Sequence, residues 1–236
     1  MRRLFRRARA EIGRFTGRVP RVRPDLRVDR LRLGTTYGGW VIAPSVLRDG
    51  AVVYSAGVGA DVSFDRALLE GWDLRALRLI DPTPGILEHP RVAELVAGSR
   101  AVSLHPVALD GSCGTIRLWP PPKEDHVSFS GVHVTRREPI EVPALTPDAL
   151  MAERGDDRID LLKMDIEGAE YAVIDRLLDS GVVPSQLLVE FHHRFPGVGA
   201  ERTEATIARL RSSGFRLFAV SETGEEYSFL HESAVA

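Results

Sequence analysis

The sequence predicts an α/β domain built on a mostly parallel sheet with helices on both faces. Three observations lead there. Between residues 51 and 214, apolar runs of strand length alternate with segments of helical period. Several of those runs end in glycine or acid, as at Gly57, Asp81 and Asp165, and sheets of this kind bind ligands beyond the carboxyl ends of their strands. The last two apolar runs, "FRLFAVS" and "EEYSFLH", are joined only by "ETG", so the chain closes with a hairpin and not with another crossover.

The elements follow in order. "AVVYSAG" (51–57) reads as a buried strand ending at glycine. Residues 60–71 form a helix with Val62, Phe64, Leu68 and Leu69 on its apolar face and Asp61 near its start. "LRALRLID" (74–81) is a second strand, and residues 85–97 a helix burying Ile86, Leu87, Val92, Leu95 and Val96. "AVSLHPVAL" (101–109) and "TIRLW" (115–119) are strand-like and divided by the turn "DGSCG". Residues 120–139 show no sustained period and predict a long loop. A helix over about 146–153 precedes the strand "IDLLKMD", which leads into a helix from about Ala169 to Leu178. "QLLVEFHH" (186–193) is the next strand, and residues 201–214 the next helix, before the closing hairpin.

Composition sets outer limits. The 236 residues suit one large domain better than two small ones, and 44% hydrophobic with 27% charged residues is ordinary for a globular chain. No apolar run approaches the roughly 20 residues that span a bilayer. The basic start leads into no apolar segment of the secretory type. The lone Cys113 excludes an internal disulfide and offers no cysteine metal cluster. Cytoplasmic placement is the expectation.

Charge is distributed unevenly. Residues 1–32 carry twelve arginines against Glu11, Asp25 and Asp29, and are expected to form a basic arm ahead of a domain over 33–236. Within the arm, Leu4, Phe5, Ala8, Ile12 and Phe15 recur at helical spacing. Such a helix suits peripheral attachment at the inner membrane face or docking to a protein partner; a solvated tail is the plainer alternative. A nucleic-acid partner is not expected, because no aromatic interleaving or recognised motif accompanies the arginines.

The first strand-to-helix turn, "SAGVGADVSF", narrows the ligand. Gly57 and Gly59 let the backbone turn tightly and approach a ligand closely. Asp81 ends the next strand 24 residues after Gly57, close to the roughly 20 expected of a ribose-binding carboxylate. The third glycine of the dinucleotide fingerprint is replaced by Val62, and Asp61 stands where it would repel a pyrophosphate. A ligand with a ribose, an ammonium group and no phosphate fits better. S-adenosylmethionine meets that description.

The strand–turn–helix stretch "LLKMDIEGAEY" (161–171) is similar to the hallmark of the FkbM family of S-adenosylmethionine-dependent methyltransferases. "YGGW" (37–40), "YSAGVGADVSFD" (54–65), "IDPTP" (80–84), "PPKEDHVSFS" (121–130), "VEFHHRFPG" (189–197) and "GEEYSF" (224–229) extend the resemblance, in order, from about 33 to 230. It implies a Rossmann-like class I methyltransferase fold with a seven-stranded, mostly parallel sheet and a C-terminal antiparallel hairpin. It further implies methyl transfer to a hydroxyl of a sugar, glycan or other natural product. Carried over by position, Gly57 and Gly59 approach the methionine part of the cofactor, Asp61 its amino group, Asp81 the ribose and Asp110 the adenine. Ser55 and Glu167 are counted with these cofactor-binding residues.

A neutral alcohol is a poor nucleophile, so a general base is expected, adding about 10²–10⁴-fold. Candidates stand at two strand ends: Lys163, Asp165 and Glu167 on one, Glu190, His192 and His193 on the other. Histidine suits a base near neutral pH, and His192 paired with Asp165 is the favoured arrangement. Glu170 reads either as part of the site or as a helix-start acid favoured by the dipole. A metal-free site is expected; the alternative has Asp165, Glu190 and His192 holding a divalent ion. Two rival functions are a non-catalytic S-adenosylmethionine-binding domain and an NAD(P)-dependent oxidoreductase. The missing third glycine and the terminal hairpin weigh against the oxidoreductase.

Overall fold

The computed structural model describes residues 12, 13, 15–120, 129 and 137–234. A small hairpin of β1 (Leu31–Leu33) and β2 (Trp40–Ile42) precedes the main sheet. The chain then runs β3 (Val52–Ala56), α1 (Ser63–Gly71), β4 (Ala76–Ile80), α2 (Pro90–Gly98) and β5 (Val102–His105). Next come β6 (Ala108–Leu109), β7 (Gly114–Leu118), β8 (Ile140–Leu145) and α3 (Pro147–Arg154). The remainder is β9 (Leu161–Met164), α4 (Glu170–Ser180), β10 (Gln186–Glu190), α5 (Ala200–Ser212), β11 (Phe215–Val220) and β12 (Glu226–His231).

Among the described residues the main sheet has seven strands in the order β11-β12-β10-β9-β3-β4-β5. β3, β4, β5, β9 and β10 pair in parallel, and β12 runs antiparallel to both β10 and β11. The chain steps outward from β3 through β4 to β5, then returns to lay β9 on the other side of β3. Connections therefore diverge between β3 and β9, and a crevice opens at their carboxyl ends.

The strands are buried on both faces, so alternate residues feed two cores. Tyr54, Leu162, Met164, Leu187 and Val189 join α4 and α5 side chains such as Tyr171, Ile174 and Ile207. Val53, Leu161, Leu188, Leu77 and Leu79 join Phe64, Leu68, Val92 and Leu95 of α1 and α2. The same alternation turns Lys163 toward the α1 side, in step with Leu161. Phe191, just past β10, packs between Tyr171 and Tyr227 at ring distances of 5.3 and 5.4 Å. It fixes the direction in which the chain leaves β10.

Three expectations change. The run 101–109 is not one strand: β5 stops at His105 and β6 pairs instead with β8 in a separate three-stranded sheet. Pro106 separates them at a tight turn in which Val107 N donates to the His105 carbonyl at 2.8 Å. β8 itself escapes a pattern search because only Val142 and Ala144 are buried and Pro143 looks like a breaker. The β1–β2 hairpin was likewise unforeseen. The loop expected over 120–139 lies largely outside the described residues, as does most of the amphipathic stretch before residue 16.

Part of the basic arm is anchored. Asp25 carboxylate oxygens accept from Leu217 N at 2.9 Å and pair with Arg211 at 2.9 and 3.0 Å. Val22, Leu26 and Val28 pack on the domain core. Residues 21–28 thus lie against β11 and α5. Among the described residues no helix is long and apolar enough to cross a membrane.

At the opposite end of the sheet from the crevice, Asp156 ties β3 to β4. Its carboxylate accepts from Tyr54 Oη at 2.9 Å and from Arg78 Nε and Nη2 at 3.0 Å each. Burial pushes the Asp156 carboxyl up, but the bonds from Arg78 and Tyr54 outweigh it and hold the group below its ordinary value. Asp156→Ala leaves a mostly buried guanidinium and a buried phenol unpaired, and should cost about 3 kcal/mol in urea unfolding. A loss under about 0.5 kcal/mol would show that the pair is solvated and contributes little.

Candidate active site

The floor of the crevice is the turn after β3. Gly57 (φ 74°) and Gly59 (φ 58°) both occupy the left-handed region. A Cβ on Gly57 would lie 1.7 Å from the Asp165 carbonyl oxygen, so the β3 and β9 strand ends meet only because that position has no side chain. Lys163 holds the turn from below. Its Nζ donates to the carbonyl of Ala56 at 3.1 Å and to that of Gly57, and lies 5.6 Å from the centre of the Trp40 ring. Beneath it stands Asp65, whose carboxyl burial pushes up against the opposing charge of Lys163.

The rim of this half is acidic and oriented. Asp81 accepts from Gly59 N at 3.0 Å through one oxygen and from Thr83 N at 2.9 Å through the other. Each oxygen keeps a lone pair for a further donor. Asp61 accepts from Thr35 Oγ1 at 2.5 Å and Ser63 N at 3.1 Å. Partial burial pushes its carboxyl up, but those bonds and the charge of Arg91 outweigh it and keep Asp61 ionised below the usual range. Asp110 also lines the crevice and accepts from Gly111 N at 2.6 Å.

The other half stands at the ends of β9 and β10. After β9 the chain passes through Glu167 at φ 52°, the one non-glycine residue at positive φ among the described residues. Such backbone costs about 1–3 kcal/mol and persists where the surroundings hold it. Here the holder is Glu170. Its fully buried carboxylate accepts from Gly168 N at 2.8 Å, His192 N at 2.8 Å and His192 Nδ1 at 3.1 Å. The far ring nitrogen, His192 Nε2, lies 3.3 Å from Glu167, 3.7 Å from Asp165 and 3.8 Å from Glu190. Burial pushes the imidazole down, but the Glu170 bond and the surrounding carboxylates outweigh it and raise its pKa to about 9. Burial and then Asp165 raise the Glu190 carboxyl to about 8 against the opposing His192 charge.

The structure thus brings together Asp165, Glu167, Glu190 and His192, and on the other half of the same crevice Gly57, Gly59, Asp61, Asp81 and Asp110. It separates three residues from their expected positions. Ser55 is fully buried in mid-sheet beside Asp65 and does not line the crevice. Lys163 is spent on the glycine-turn carbonyls. His192, 1% exposed, sits behind Asp165 and Glu190, which line the opening themselves. His193 lines it too, with its pKa pushed down by burial. Thr35, Trp40 and the latching role of Glu170 were missed; the "LGTTYGGW" cluster of glycines beside an aromatic was the available signal for the first two.

The whole crevice is large, about 2090 Å³, against roughly 300–1,000 Å³ for a typical small-molecule site. Beyond Asp165 it continues past Arg194, Phe195, Thr223 and Glu226.

A sheet in this order, with a reversed terminal hairpin and an acidic glycine turn at the switch point, is the Rossmann-like methyltransferase architecture. The methyltransferase FkbM domain matches residues 39–217, and the chain belongs to that family. The crystal structure of methyltransferase FkbM from Methylobacillus flagellatus KT superposes with a TM-score of 0.51 at 13% identity. That match covers 78% of this chain and 44% of the other. The fibrillarin pre-rRNA processing protein of Methanococcus jannaschii aligns at 11% identity and a TM-score of 0.48 over 91% of this chain and 87% of its own. A Rattus norvegicus relative named "Probable methyltransferase-like protein 24" is 32% identical over 80 residues, which is 30% of this chain and 22% of that protein.

The two glycines make different demands. Gly57→Ala meets both a strained φ and the Asp165 carbonyl, and should destabilise the protein by more than about 2 kcal/mol in denaturant unfolding. Gly59→Ala meets no atom within 4 Å and should cost only the backbone strain, about 1 kcal/mol. Equal losses for the two variants would contradict the close approach of β3 and β9.

Proposed function

We propose that the protein is an S-adenosylmethionine-dependent O-methyltransferase acting on a hydroxyl of a sugar, glycan or other natural product. The observation that carries this reading is a single crevice with an ionised, hydrogen-bonded Asp61 at its glycine turn and carboxylates across from it. Asp61 suits an ammonium group and opposes a pyrophosphate, which counts against a dinucleotide. Asp81, pinned by two backbone amides, keeps acceptor capacity for ribose hydroxyls. Gly57 and Gly59 present bare backbone beside them. These residues fit S-adenosylmethionine.

The cofactor supplies an electrophilic methyl group on a sulfonium. The protein's part is to align the two reactants, and good alignment is worth about 7–11 kcal/mol of a displacement barrier. Asp165 stands between the two halves of the crevice, beside the glycine turn. Asp165, the most exposed carboxylate of the cluster and a neighbour of Glu190, is assigned to receive the acceptor's hydroxyl proton as its oxygen bonds the methyl carbon. The electrons of the broken carbon–sulfur bond stay on sulfur, and the positive charge is lost there. His192, held by Glu170, positions both carboxylates from behind. The size of the crevice beyond Asp165 favours an acceptor larger than a single small alcohol.

Titration calorimetry should show binding of S-adenosylmethionine and its demethylated product, with little response to NAD or NADP. Asp81→Ala should weaken cofactor binding by about 1–3 kcal/mol. Asp165→Asn should lower methyl transfer about 100-fold or more while leaving cofactor affinity near wild type. Tight dinucleotide binding with no response to the sulfonium compound would overturn the reading. Undiminished transfer by Asp165→Asn would remove Asp165 from the chemistry.

A further inference from the structure

We propose that the ends of β9 and β10 form a divalent-metal site, with Asp165, Glu190 and His192 Nε2 as the protein ligands. One donor atom from each lies within 4.8 Å of the others, and the two edges from Nε2 measure 3.7 and 3.8 Å. An ion bound at about 2.1 Å from each donor needs edges of about 3–3.5 Å, so small carboxylate rotations close the set.

The second observation lies outside the three ligands. Glu170 is fully buried and is itself fixed by the amides of Gly168 and His192. It takes the Nδ1 side of the ring, which leaves Nε2 facing Asp165, Glu167 and Glu190. A carboxylate behind the imidazole is the arrangement that fixes the tautomer of a metal-bound histidine and raises its basicity. Nε2 lies 3.3 Å from Glu167, its nearest carboxylate, and His192 is 1% exposed. It points into the space bounded by Asp165, Glu167 and Glu190.

Charge points the same way. Asp165, Glu167, Glu170 and Glu190 converge on His192, while Arg194 divides itself between Glu190 and Glu225. Lys163 is engaged at the glycine turn. Carboxylates crowded together in a partly buried cluster need a partner charge, and a dication supplies what one imidazole cannot. One nitrogen and two carboxylate donors favour Mn²⁺, Fe²⁺, Co²⁺ or Zn²⁺ over ions that prefer all-oxygen cages.

Asp165 and Glu190 line the crevice, so open coordination positions would face the acceptor side. With the ion bound, Asp165 would serve as a ligand in place of its role as proton acceptor, the ion would hold the acceptor hydroxyl and ease its deprotonation, and the non-liganding Glu167 would take the proton. That use rests on the proposed methyl transfer; binding of the ion does not.

The test is a Mn²⁺ titration of the chelator-stripped full chain, read by electron paramagnetic resonance and calorimetry. One saturable Mn²⁺ per chain is expected. Asp165→Asn and Glu190→Gln should each raise the Kd by about 10-fold or more. Asp157→Asn, an exposed acid at the other end of β9, should leave it unchanged. Circular dichroism on every variant keeps unfolding apart from ligand loss. Absence of saturable binding in folded protein that still binds S-adenosylmethionine would overturn the metal site and leave the functional reading standing. Binding indifferent to both carboxylate variants would overturn it as well. Mn²⁺ binding without cofactor binding would support the metal site and count against the functional reading.

Discussion

The buried carboxylate of Glu170 is the constraint on which the site depends. It belongs to the first turn of α4, yet its three hydrogen bonds go to the turn before that helix and to the segment after β10. A side chain that would otherwise satisfy only a helix start therefore locks two neighbouring strand ends together. The left-handed Glu167 is held within this lock, and its carboxylate is delivered to His192. An ionisable group with no solvent exposure is costly unless every oxygen is used. Here both are.

A second lock joins the glycine-turn half of the crevice to the acid half. Gly57 lets β3 approach Asp165, and Lys163 reaches from β9 to the carbonyls of Ala56 and Gly57. The two acids that define the halves, Asp61 and Asp165, are thus referred to one another through backbone and not through flexible side chains. In-line transfer between two ligands has just this requirement: their separation must be set by a rigid element. The strand pair β3–β9 at the sheet's switch point supplies it.

Much of this was legible in the residues. Alternating apolar runs gave the strand–helix order, and the short "ETG" connection gave the antiparallel end. Acid and glycine at strand ends marked the crevice. What stayed hidden depends on geometry that period and composition do not encode. Pro106 diverts the chain into a second sheet, and β8 buries only two side chains on one face. Lys163 stood among the candidate bases because it shares a strand end with Asp165, whereas its nearest acceptors are backbone carbonyls. Ser55 looked accessible from its place before the glycine turn but is enclosed by the sheet. His192 was foreseen beside Asp165, and 3.7 Å separates them, but its burial behind the acids required knowing where Glu170 points.

The dependence of the site on Glu170 is tested most directly by Glu170→Gln, assayed in parallel for unfolding free energy and for methyl transfer from S-adenosylmethionine. Glutamine keeps the volume but puts an amide donor among three donors, so one hydrogen bond must fail and the charge behind His192 is lost. The account predicts a folded protein destabilised by about 2 kcal/mol, with transfer reduced about 100-fold or more. Wild-type stability together with wild-type transfer would contradict it.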